Sequence, residues 1–154
     1  MGTRNRSPGA IDKGAVPLLD FETFITKIGE QMATQKEVIN FIKNNLNSEE
    51  VGEASFKIVY DVGDGRTQLL LIYVGEFGMN VASPFATTED VTPKQALNAA
   101  KDFGLGIGIR GDFYEVKAFV LLADLDESEI HTSFELVMSI ADELEEALVG
   151  GDSF

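Results

Sequence analysis

Gly106-Ile107-Gly108-Ile109-Arg110-Gly111 spells G-x-G-x-x-G, the glycine pattern with which a strand-to-helix turn cradles a pyrophosphate on free backbone amides. That chemistry needs a strand before the glycines and a helix after them. The surrounding periodicity runs the other way, helix first and strand second, so the segment reads as a glycine-faced strand and its turn. A nucleotide-binding regulator using Gly104 to Gly111 stays as an alternative. Asp124, Asp126, Ser128 and Glu135 fall on positions one, three, five and twelve of a calcium loop. Glu129 stands where that loop needs glycine for its sharp turn, His131 replaces an apolar residue, and a strand rather than a helix leads in. Asp124 and Asp126 are therefore expected to end a strand and solvate the approach to the last helix. The competing role for Asp124, Asp126 and His131 is a small metal-dependent hydrolase. His131 is the only histidine, and a serine triad built on it with Ser133 or Ser139 would lack the G-x-S-x-G elbow. Arg110-Gly111-Asp112 spells an adhesion tripeptide but reads as a hairpin turn. No catalytic residue, metal site or cofactor is assigned.

The elements that carry these residues follow from their periods. Phe21, Phe24, Ile25, Ile28, Met32, Ile39, Ile42 and Leu46 recur at steps near three and four, which predicts one long amphipathic helix with Asp20 as its cap. Thr34 and Glu37 match a capping box, so two helices broken near Ala33 are the alternative. Phe56, Ile58 and Tyr60 then alternate with less apolar residues before the turn Asp61 to Arg66, the opening of a hairpin. Leu69 to Val74 is apolar on both pleat faces, and a third strand, Met79 to Phe85, is expected to stop near Pro84. Thr92-Pro93-Lys94-Gln95 starts a short helix, Leu105 to Ile109 is the glycine-alternating strand, and Phe113 to Ala123 is a strand apolar on both sides over its second half. Thr132 and Glu135, another capping-box pair, announce the last helix, whose stripe is Ile130, Phe134, Val137, Ala141, Leu144 and Leu148 and whose end is Gly150-Gly151. Its last turns carry Asp142, Glu143, Glu145 and Glu146, the wrong sign for a helix C-terminus. They read as a solvated acidic face, with a docking surface for a basic partner as the sharper alternative.

Composition bounds what such a fold can do. The 154 residues, 44% of them hydrophobic, suffice for one core and not two, so residues 20–150 are expected to form one α+β domain behind a flexible tail over residues 1–19. There is no cysteine, which removes disulfides and thiolate sites and fits the cytoplasm. A net charge of −14 repels nucleic acid and anionic membrane surfaces, and no apolar run approaches the roughly 20 residues that span a bilayer.

With the order α-β-β-β-α-β-β-α in hand, the chain over roughly residues 21–149 resembles the bacterial YbjN-like family, whose domain is similar to the type III secretion chaperone fold. The resemblance rests on that order, on Met79-Asn80-Val81-Ala82-Ser83-Pro84 running into the Thr92-Pro93 helix start, on Gln95 to Phe103 leading straight into a strand, and on Phe119 to Leu125 ending in an acidic turn. It departs from the family pattern where Asn98 stands alone at the helix end and in its glycine ladder. The resemblance implies an antiparallel sheet, no catalytic residue to carry over, and a role in sensory-transduction regulation or chaperone-like protein binding. A dedicated type III secretion-type chaperone is a further alternative.

Two strands apolar above and below need two covering layers. Helices supply one. The long first helix or a second subunit is expected to supply the other, and a homodimer is the favoured form. An unknown protein or peptide partner, extended or helical, is expected on an apolar groove built from Leu69, Leu71, Tyr73, Phe119 and Leu121.

Overall fold

Thr34 decides where the first described helix begins. The computed structural model describes residues 33–150, so the expected tail and the apolar series Phe21 to Met32 lie outside the described residues. Helix α1 (Gln35–Asn45) starts at an extended Thr34, whose hydroxyl accepts from the Glu37 N–H while the Glu37 carboxylate accepts the Thr34 N–H at 2.7 Å. That reciprocal pair satisfies amides which a continuing helix would have bonded to its own carbonyls, so no helix runs unbroken through Thr34, which corrects the expectation of one continuous helix at that point. The Thr34 backbone N–H, and after it the Thr34 hydroxyl, holds the Glu37 carboxyl below its ordinary pKa. A lowered folded-state pKa means the cap is complete above the ordinary glutamate range and is lost as pH falls through the depressed value. The protection factor of the Thr34 amide, its exchange rate taken relative to the intrinsic rate at each pH, is therefore expected to fall on acidification in the native chain and to stay flat in a Glu37→Gln variant; equal acid sensitivity of protection in both would contradict this assignment.

Six strands follow, one more than the periodicity shows. β1 (Glu49–Gly52) has a single apolar residue and no alternation, which is why it reads as loop; it is an edge strand fixed on β2 (Ser55–Gly63), with Lys57 Nζ 2.7 Å from the Glu49 carboxylate. β3 (Arg66–Val74), β4 (Gly78–Thr87), β5 (Gly106–Arg110) and β6 (Phe113–Leu121) complete an antiparallel sheet of order β1-β2-β3-β4-β6-β5. Helix α2 (Pro93–Ala100) carries the chain from β4 to the far edge, and its Thr92–Gln95 capping box and Pro93 are where the sequence places them.

β4 does not stop at Pro84. It runs to Thr87 with a bulge between Pro84 and Ala86 on its β6 side, and on its β3 side the ladder ends at the pair Leu71 and Ala82. Proline has no N–H to give to a ladder, and side chains take over. Gln68 Nε2 donates to Ser83 Oγ at 2.9 Å and to the Pro84 carbonyl at 2.8 Å, while Ser83 Oγ donates to the Leu69 carbonyl at 2.6 Å.

Helix α3 (Glu127–Leu148) also begins earlier than expected. Asp126 is its cap, its carboxylate accepting from the Glu129 N–H at 2.8 Å, and Thr132 and Glu135 lie inside the helix. Its acidic last turns are not merely solvated: Arg66, at the start of β3, reaches Asp142 at 3.0 Å and Glu146 at 3.4 Å, and Glu145 is buried. Tyr60 points toward the same helix, and burial, with Glu135 second, raises its pKa.

One face of the sheet holds the core. Phe56 and Ile58 of β2, Leu70, Ile72 and Val74 of β3, Met79 and Val81 of β4 and Val116 of β6 are buried against Val38 and Ile42 of α1, Ala96 and Ala100 of α2, and Phe134, Val137, Ala141 and Leu144 of α3. Each fully buried Leu, Ile or Phe contributes about 1.5–3 kcal/mol by leaving water. The expected second layer is absent among the described residues. Alternate residues of β3 and β6 point away from all three helices, and Tyr73 (51%), Phe119 (57%) and Leu121 (48%) are exposed. The segment expected to cover that face, the first-helix series Phe21 to Met32, lies outside the described residues.

Candidate functional site

Period two puts the predicted groove residues on a single surface. Leu69, Leu71 and Tyr73 are the outward residues of β3, and Phe119 and Leu121 are outward residues of β6. Between these ridges lies β4, whose outward side chains are small or flat: Asn80, Ala82 and Pro84, the last two buried as a floor. The ridges are two strand spacings apart, about 9.5 Å, enough to seat an extended chain or one face of a helix. All five predicted residues lie on this one face; across β4, Tyr73 stands opposite Phe119, whereas Leu71 stands opposite Lys117. The trough deepens into a hollow of about 430 Å³ lined by Leu69, Leu71, Pro84, Phe113, Glu115 and Arg110.

The sequence reading missed part of this surface. Val59 on β2, Phe77 at the β3–β4 turn and Phe113 at the start of β6 are also large, apolar and exposed. Phe113 shares the parity of Phe119 and Leu121, so the alternation that exposed those two would have found it. Glu115 is the other omission: its side chain is only 2% exposed, yet it sits on this open face, with Arg110 Nε at 2.7 Å and Lys117 Nζ at 2.9 Å. Its cross-strand neighbours explain how. Glu115 is in register with Gly108, and a Cβ at Gly108 would collide with the Lys117 stem that lies across it. The glycine ladder is thus the channel through which lysine reaches its carboxylate. Gly78 does the same for the Phe119 ring, where a Cβ would also sit 2.7 Å from the Val120 carbonyl.

The residues that spelled chemical motifs do not assemble. Gly106 to Arg110 form β5, Gly111 makes the hairpin turn with φ 57°, and β6 rather than a helix follows, so no amide end faces the glycines. Asp124 closes a short 3-10 turn and Asp126 is spent on its cap. His131 turns away from both to meet the Phe41 edge, ring centroids 6.0 Å apart at 84°. Among the described residues no three His, Asp or Glu side chains converge as a metal site would require. No described helix is long and apolar enough to cross a membrane, which says nothing of strands.

An antiparallel six-stranded sheet with helices on one face, in this order, is an α+β fold of the type III secretion chaperone-like kind. Among solved structures, a chain in the crystal structure of the ExsC–ExsE complex matches it with a TM-score of 0.52 and 13% sequence identity, over 84% of this chain and 97% of that one. At that identity the likeness is one of fold. No family model matches the chain, and no curated protein matches it either.

Proposed function

We propose that this protein is a non-enzymatic protein-binding domain, chaperone-like or regulatory, that holds a segment of another protein in the trough over β4. The observation that carries the reading is the uncovered apolar face. Leu69, Leu71, Tyr73, Phe119 and Leu121 all lie on the sheet face that the described helices leave uncovered, and exposed apolar faces of that kind mark interaction sites. The fold likeness to a chain from a complex of two named proteins supports the same direction, as does the YbjN-like pattern of the sequence, whose implied regulatory role and cytoplasmic setting belong to this proposal. Affinity capture with the native chain and with Leu71→Asp tests it. The native chain is expected to retain a protein that the variant loses; identical recovery by both would remove the trough from the function.

The homodimer belongs to the proposal too, through a different surface. β5 is an edge strand in which Ile109 is 58% exposed, and Leu97 of α2 (62% exposed) is a second exposed apolar residue on the element leading to it. Two β5 strands paired antiparallel about Gly108 would set Ile107 against Ile109 of the other copy and Arg110 against a glycine, a pairing free of like-charge contacts. Sedimentation at tens of micromolar, as an order of magnitude, is expected to give a dimer that Ile109→Asp splits and Leu71→Asp does not. A monomer-sized native species would end this part.

A further inference from the structure

The open face differs electrically from the body that carries it. Its cations are paired, Lys57 with Glu49 and both Arg110 and Lys117 with the one buried Glu115, which leaves a single positive charge in excess. The two ends of the trough are different. Glu53 and Glu76 sit in the β1–β2 and β3–β4 turns at one end, and Asp64 and Asp112 sit in the β2–β3 and β5–β6 turns at the other. All four are exposed, and none is in an ion pair within the described chain. A largely apolar floor whose charged side chains are all paired is thus bounded at both ends by free carboxylates, on a chain of net charge −14.

Resting on the trough reading above, we infer that the partner segment is apolar in its centre and carries Lys or Arg at both flanks. The centre displaces water from Leu69, Leu71 and Phe119, and the flanks meet Glu53 and Glu76 at one end and Asp64 and Asp112 at the other. A second copy of this chain laid face to face would set these rims against each other, like charge on like charge. An acidic segment would meet the same repulsion at both ends. Rim charges of this kind act mainly on the rate of encounter and on the salt dependence, so the preference fades as salt rises.

Two fluorescein-labelled synthetic peptides with one shared apolar core, flanked by lysines or by glutamates, test this by anisotropy against the full chain. The lysine-flanked peptide is expected to bind at least about tenfold more tightly at low salt. Reversing the rim with Glu76→Lys and Asp112→Lys together is expected to abolish the preference. Matched reversals on the opposite side of the sheet, Glu129→Lys and Glu143→Lys on α3, are expected to leave most of it intact. Equal binding of both peptides, or an equal effect of the two double variants, would overturn the inference while leaving the trough reading in place, provided Leu71→Asp still abolishes binding. Binding that Leu71→Asp does not touch would overturn both.

Discussion

A Leu70→Asp variant is expected to be unfolded at room temperature, while Leu71→Asp, one residue along the same strand, is expected to fold and melt cooperatively. Leu70 is fully buried between the sheet and the helices, and an aspartate there would place a charge among apolar side chains with no partner. Isolated buried carboxylates are held only by taking up a proton, and the loss of packing adds about 2–5 kcal/mol, a large part of the whole stability of a domain this size. Leu71 has its side chain on the other pleat face, beside Lys57 and Ala82, where water already reaches. Far-UV circular dichroism and a urea titration on both variants decide the matter. Two unfolded variants would mean that the outer face is covered in the native molecule, and two folded ones that the assigned register is wrong by one residue.

Phe134→Ala is expected to cost about 3–5 kcal/mol and to lower the melting temperature by roughly 10–20 °C. Phe134 is among the largest fully buried side chains and lies on the α3 stripe that meets the sheet. Leu136, two residues on, is exposed on the same helix, and Leu136→Ala is expected to change stability by less than about 1 kcal/mol. Thermal melts of the two variants give the comparison directly; similar losses would mean that α3 does not pack through the Ile130, Phe134, Val137, Ala141 and Leu144 stripe.

That stripe was legible in the sequence because a helix of six turns repeats its period often enough to be unmistakable. So were the parity of β2 and β6 and the Thr92–Gln95 cap. Where the sequence reading went astray, a local signal was outweighed by a tertiary one or by a better local competitor. Asp126 captured the start of α3 ahead of Thr132 because its carboxylate, six residues earlier, already accepts the Glu129 N–H. Pro84 looks like a stop, yet Gln68 and Ser83, fifteen residues apart, supply the hydrogen bonds it cannot make. β1 has no apolar signature at all and exists through pairing with its neighbour. The five groove residues were named because two strands are apolar on both sides. Nothing in the pattern said which of those two sides would be left to the solvent.

The bare side of the sheet sets how this molecule behaves in a crowded solution. An exposed trough that wets poorly would draw copies together, and at low ionic strength the charge of −14 on each copy keeps them dispersed. Turbidity should therefore rise when salt shortens the reach of that repulsion or when acid titrates the carboxylates, well before the fold itself gives way.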